Sequence, residues 1–162
     1  MITDEELNKG LLTLKAIWFA MLVSLALYLF VGLQVATNLQ ISMNENTFAV
    51  LKPVLYVLAF VTLIITKYVK KLILSAKGQY RPATQGYRHP VLQKYATAMI
   101  VAWALSESIG IYGLVLFLLG KNTTDLYLLL LISAAAMFMY RPRRDEVINL
   151  FQKSGEASTT GG

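Results

Sequence analysis

Residues 16–36 read AIWFAMLVSLALYLFVGLQVA, 21 consecutive positions without a charge. A helix that crosses the hydrocarbon of a bilayer needs about 20 largely apolar residues. No charged residue lies between Lys15 and Glu45. The run is longer than the apolar core of a signal peptide, about 7–15 residues, and Val35-Ala36-Thr37 is a poor match to a cleavage site. The segment is therefore expected to be a retained transmembrane helix.

Three more segments of the chain are long and apolar. Residues 48–68 are apolar apart from Lys52 and Lys67, each close to one end, and residues 95–119 carry one charge, Glu107. The fourth, residues 123–140, is bounded by Asp125 and Arg141, which leaves 15 uncharged positions between them. These cover only about 22 Å at 1.5 Å per residue, so this span needs Arg141 to snorkel and a start near Asn122. The expected fold is all-α: a polytopic membrane protein with four transmembrane helices over residues 16–140, an N-terminal interfacial segment over residues 1–15 and a cytoplasmic tail over residues 141–162.

Composition agrees. The chain has 162 residues, 56% hydrophobic and 15% charged, with mean hydropathy +0.55. Soluble domains average about 25% charged residues. The absence of cysteine excludes disulfides, thiolate metal sites and a cysteine nucleophile, and the single histidine, His89, leaves no basis for a His-rich metal site. No cofactor motif or nucleophile–base pair is visible. Neither a metal, a cofactor nor an enzymatic activity is expected.

Of the 15 basic residues, 13 lie in residues 1–15, 67–94 and 141–162. By the positive-inside rule these parts face the cytoplasm, so both termini are cytoplasmic and the connections at residues 37–47 and 120–125 lie outside. A bacterial cytoplasmic (inner) membrane is the expected location. Because the charges sit beside helix ends, the net +6 is read as a topology signal, with the bilayer and not nucleic acid as partner. Lys67, Lys70, Lys71, Arg81, Arg88, Arg141, Arg143 and Arg144, with Tyr80, Tyr87 and Tyr95, suit the headgroup level. They are read as topology anchors, or alternatively as a docking patch for anionic lipid or a partner.

Thr3-Asp4-Glu5-Glu6 is a capping box, and Leu7, Leu11, Leu12 and Leu14 give the following turns an apolar face that suits an interfacial start. Val147, Ile148, Leu150 and Phe151 predict a short interfacial helix over residues 145–153. Residues 155–162, small and polar, are expected to lack fixed structure.

Small residues recur at four-residue spacing as Ala16, Ala20 and Ser24, and again as Ala98, Ala102, Ser106 and Gly110, extended by Gly113. Such rows let helix backbones approach closely in lipid, within one chain or between copies, so a homo-oligomer or other membrane subunits are expected partners. The two rows are 82 residues apart; residues 55–58 and 126–129, and Tyr68 and Tyr140, match at offsets of 71 and 72. Read as a duplication, this predicts two helical hairpins in parallel orientation; the alternative is coincidence in apolar sequence.

Glu107 stands 12 residues from both Tyr95 and Leu119, hence near the bilayer centre. A charged carboxylate there costs at least about 2.5 kcal/mol, so it must be protonated, paired or facing a wet cavity. Ser106 and Ser108 flank it. Lys52 enters from the outer side and lies too shallow to reach it without bending inward.

The stretch Ala104-Leu105-Ser106-Glu107-Ser108-Ile109-Gly110-Ile111-Tyr112-Gly113-Leu114-Val115 resembles the ion-binding helix of the rotary ATPase proteolipids, the c-ring subunits. The likeness covers about 25 residues around Glu107. It implies that Glu107 is a carrier carboxylate, with Tyr112 and Gly113 at packing positions. The family's preceding helix is rich in glycine, whereas residues 49–68 contain none. Outside Glu107's helix, the chain is similar to small four-helix bacterial inner-membrane proteins without assigned activity. Two functions follow: a structural or accessory subunit that packs through its small-residue faces, or an ion-coupled transporter or proteolipid-like oligomer in which Glu107, with Ser106, Ser108 and Tyr112, binds a proton or sodium.

Overall fold

The computed structural model describes residues 4–36, 44–75 and 90–159. Every element among them is helical: α1 (Asp4–Ala36), α2 (Glu45–Ser75), α3 (Pro90–Gly120), α4 (Thr123–Met139) and α5 (Arg144–Thr159). The capping residue Thr3 and the central-loop residues Arg81, Arg88 and His89 lie outside the described residues.

Three helices, α1, α2 and α3, are long and apolar enough to cross a membrane; α4 with the first half of α5 makes a fourth candidate, bent by 48° at its break. At 17 residues, α4 alone reaches about 26 Å, short of a hydrocarbon core of about 30 Å. The bend falls at Pro142, which cannot donate the next helical hydrogen bond. Beyond it α5 continues as helix through residues 155–159, which the small polar composition had suggested would be without structure. At the other end, α1 runs unbroken for 33 residues, so residues 4–15 continue the first span directly.

The α3–α4 connection is short. Lys121 adopts a left-handed backbone (φ 52) and closes the end of α3 by donating its N–H to the Phe117 carbonyl at 2.7 Å. Asn122 then caps α4, its side chain accepting the Thr124 N–H at 3.0 Å. This hairpin places α4 antiparallel to α3.

α3 is the central helix. It packs against α4, α2, α1 and the start of α5, and α1 also touches α4. The inward faces follow alternating four- and three-residue steps: Leu7, Leu11, Leu14, Trp18, Met21, Leu25, Tyr28 and Gly32 on α1, and Phe48, Lys52, Leu55, Ala59, Thr62 and Thr66 on α2. That 3.5-residue repeat keeps one seam facing its neighbour over a long distance. On α3 the row Ala98, Ala102, Ser106, Gly110 and Gly113 is buried. A Cβ on Gly113 would stand 2.8 Å from Leu129 Cβ, so the missing side chain is what lets α3 and α4 approach.

The row on α1 behaves otherwise. Ala16 and Ala20 are exposed, and only Ser24 turns partly inward. Four-residue steps drift by about 40° per step around a helix of 3.6 residues per turn, so the row leaves the seam that the 3.5-residue steps maintain. Residues equated by the internal repeat accordingly have opposite surroundings: Ala16 is exposed and Ala98 buried, Tyr68 exposed and Tyr140 buried.

Candidate functional site

Glu107 is half-buried, and its partners come from another helix. Ser24 Oγ lies 2.5 Å and Tyr28 Oη 2.7 Å from Glu107 Oε1, both as donors. Ser24 and Tyr28 are four residues apart and so project from neighbouring turns of one α1 face. The Ser24 hydroxyl also stands 2.7 Å from the Met21 carbonyl. It has one proton and two acceptors. With Glu107 ionised, Ser24 and Tyr28 can both donate to Oε1. With Glu107 protonated, the acid can donate to Ser24 Oγ while Ser24 donates to Met21. Bonding at this site is therefore compatible with either protonation state.

The flanking serines do not take part. Ser106 donates to its own helix at the Ala102 carbonyl, 2.8 Å, and Ser108 to the Leu105 carbonyl, 2.7 Å. Both use the back-bonding that serine favours inside helices. Tyr112 packs elsewhere, against a cluster of Ala59, Ile109, Leu116 and Leu129 between α2, α3 and α4. The four-residue set proposed around Glu107 thus shrinks to Glu107 itself, joined by Ser24 and Tyr28.

A second carboxylate tie sits at the far end of the bundle. Lys52 Nζ is 2.8 Å from Asp125 Oδ2, and Tyr56 donates to Asp125 Oδ1 at 2.7 Å. Asp125 is buried in the first turn of α4, where the partial positive charge of a helix N-terminus favours a carboxylate. Lys52 thus has its partner near its own depth and leaves Glu107 alone.

At the basic end, Lys70 bonds Glu146 at 3.1 Å and lies 5.5 Å from the centre of the Tyr140 ring. The buried Tyr95 hydroxyl donates to Glu146 at 3.2 Å and accepts the Arg143 N–H at 3.1 Å. These bonds seat the start of α5, with Val147 buried among Leu7, Leu11, Leu14 and Leu92. Lys70 is therefore engaged within the chain, and the side chains of Lys67, Lys71, Arg141, Arg143 and Arg144 are exposed. Two indoles close the same region: Trp18 donates to the Met137 carbonyl at 2.9 Å and Trp103 to the Tyr140 carbonyl at 2.8 Å, satisfying acceptors near the end of α4.

Among the described residues no three His, Asp or Glu side chains converge as a metal site would require. No family model, no curated protein and no solved structure matches the chain.

Proposed function

We propose that the protein is a structural or accessory subunit of a membrane complex: a four-span helical bundle in the bacterial cytoplasmic membrane, both termini in the cytoplasm, with no catalysis of its own. The observation that carries this reading is the use made of the two acidic side chains within the apolar spans. Glu107 ties α3 to α1, and Asp125 ties α4 to α2. Groups spent on holding helices together suit a scaffold. The basic residues at the end marked by Lys70, Arg143 and Arg144 support the cytoplasmic assignment of that end. There the exposed cations face the anionic headgroups of the inner leaflet.

A second reading, an ion-coupled oligomer, has one observation in its favour: Glu107 keeps hydrogen-bond partners in both protonation states. Proton flux separates the two. The protein is reconstituted into vesicles with a potassium diffusion potential, and internal pH is followed by a trapped dye. The scaffold reading expects wild type, Glu107→Gln and protein-free vesicles to acidify alike. Flux in wild type that disappears in Glu107→Gln would remove it in favour of ion transport.

A further inference from the structure

The basic end of the bundle holds more cations than its own acids engage. Lys70 meets both sides of the α4–α5 break: its Nζ lies 3.1 Å from Glu146 and 5.5 Å from the centre of the Tyr140 ring. Arg141 and Arg143 fall between those two residues, and Lys67 and Lys71 lie within one turn of Lys70 on α2. The Lys70 contact therefore gathers cations of two distant segments around one spot. Lys67, Lys71, Arg141 and Arg143 are all exposed, and among the described residues none of the four has an ion-pair partner. With Lys70 and Arg144 they set six basic residues against two acids, Asp145 and Glu146, and Glu146 is already engaged by Lys70. Such a concentration of one sign of charge attracts an anion. Apolar side chains border the same cations. Tyr68 and Leu72 are exposed beside Lys67 and Lys71, and Phe138 and Met139 are exposed just before Arg141. Both α2 and α4 thus change from apolar to cationic at this end. A free anion would match the cations alone. A lipid of net negative charge matches both parts, its phosphate the cations and its acyl chains the bordering side chains.

We propose that this spot is a binding site for one anionic phospholipid, its phosphate held by Lys67 and Lys71 of α2 and by Arg141 and Arg143 of the α4–α5 break. Arginine offers a planar fork that matches a phosphate, and lysine adds a compact point charge on a flexible stem. A zwitterionic lipid carries its own ammonium beside its phosphate and gains less from four further cations. The bound lipid braces the break, because its phosphate bridges α2 to the start of α5 next to the Lys70–Glu146 pair that already joins them. This deepens the scaffold reading, and it rests on that reading's placement of the basic end at a bilayer surface.

The two tryptophans of the chain serve as probes of this place. Trp18 and Trp103 donate to the Met137 and Tyr140 carbonyls, so both indoles stand at the end of α4. The full chain is reconstituted into vesicles of phosphatidylcholine mixed with rising fractions of phosphatidylglycerol, with bromine on the acyl chains of one lipid or the other. Quenching of tryptophan fluorescence then gives the relative affinity of the two lipids beside the indoles. Wild type should favour phosphatidylglycerol by at least about fivefold, the effect of one cation near an anionic lipid surface. Lys67→Gln with Arg143→Gln should bring the two lipids close to parity, whereas Lys67→Arg with Arg143→Lys should keep the preference. Lys9→Gln with Lys15→Gln removes as many charges from α1 at the same end and should leave the preference unchanged. Equal quenching by the two lipids in wild type, or none from either, overturns the proposal. An equal loss in the α1 variant also overturns it, since the cations then act only as diffuse surface charge. Displacement of phosphatidylglycerol by inorganic phosphate, at an ionic strength matched with chloride, would overturn it in favour of a free-anion site. Each of these results leaves the scaffold reading standing on the Glu107 and Asp125 ties. Glu107-dependent flux would remove the scaffold reading and leave the lipid site intact.

Discussion

Glu107 accepts two hydroxyl bonds from α1, so the account ranks substitutions around it. Tyr28→Phe removes one donor and should cost about 0.6 kcal/mol, the average for a hydrogen bond between membrane helices, with about 1.7 kcal/mol as the upper end. Glu107→Gln keeps an acceptor oxygen and should be close to neutral, whereas Glu107→Leu loses both bonds. Reversible unfolding in mixed micelles measures the order. At Asp125 the asymmetry runs the other way. Lys52→Met strands a buried carboxylate, whereas Asp125→Asn leaves a lysine that is 37% exposed and can turn to solvent. Lys52→Met should therefore be the worse variant, by about 1–3 kcal/mol on the cost of an unpaired buried charge discounted for that exposure. Equal losses would show that the Asp125 carboxylate is not buried as described. Of these residues Glu107 was legible in the sequence, as the one charge in an apolar run. Its partners were not: Ser24 stood out only as a small residue, Tyr28 as part of an apolar helix, and Asp125 as a boundary. Sequence shows that a buried carboxylate needs a donor but not which helix supplies it.

Among the elements, α3 and α4 meet at Gly113, where an added Cβ would stand 2.8 Å from Leu129 Cβ and 3.4 Å from the Leu126 carbonyl. Backbone cannot yield as a side-chain tip can, so Gly113→Val should destabilise by about 1–3 kcal/mol, the usual cost of overpacking. Gly110→Ala meets the flexible end of Leu25 and should cost less. Lys121 holds a left-handed backbone without being glycine, so Lys121→Gly should stabilise the α3–α4 turn by up to about 1 kcal/mol. Thermal aggregation midpoints of the three variants test this ordering. The existence of the long helices was legible because apolar length alone specifies them. Their faces were harder. The seam from Leu7 to Gly32 has a 3.5-residue repeat that can be counted in the sequence, but Ala16, Ala20 and Ser24 offer a rival row in the same helix, and in lipid exposed and buried faces are both apolar. The docking of α5 was not legible, since the Lys70–Glu146 bond joins residues 76 positions apart.

Across the whole molecule, the side-chain ties sort the helix ends into two groups. Phe48, Lys52, Gly120 and Asp125 gather at one end, and Lys70, Tyr95, Tyr140 and Glu146 at the other. If the basic end faces the cytoplasm, as proposed above, Lys121→Cys should react with a membrane-impermeant maleimide on intact spheroplasts, and Asn149→Cys only after permeabilisation. Labelling of both on intact spheroplasts would mean that α4 does not complete a fourth span.

Glu107 holds α1 against α3 through the Ser24 and Tyr28 hydroxyls. A double-mutant cycle in bilayers tests it most directly, using Tyr28→Phe, Glu107→Leu and their combination, with unfolding free energy as the readout. The account predicts a favourable coupling between the two positions of about 0.6–1.7 kcal/mol, the range for hydrogen bonds between membrane helices. Strict additivity of the two losses would contradict it, since residues that do not touch should not couple.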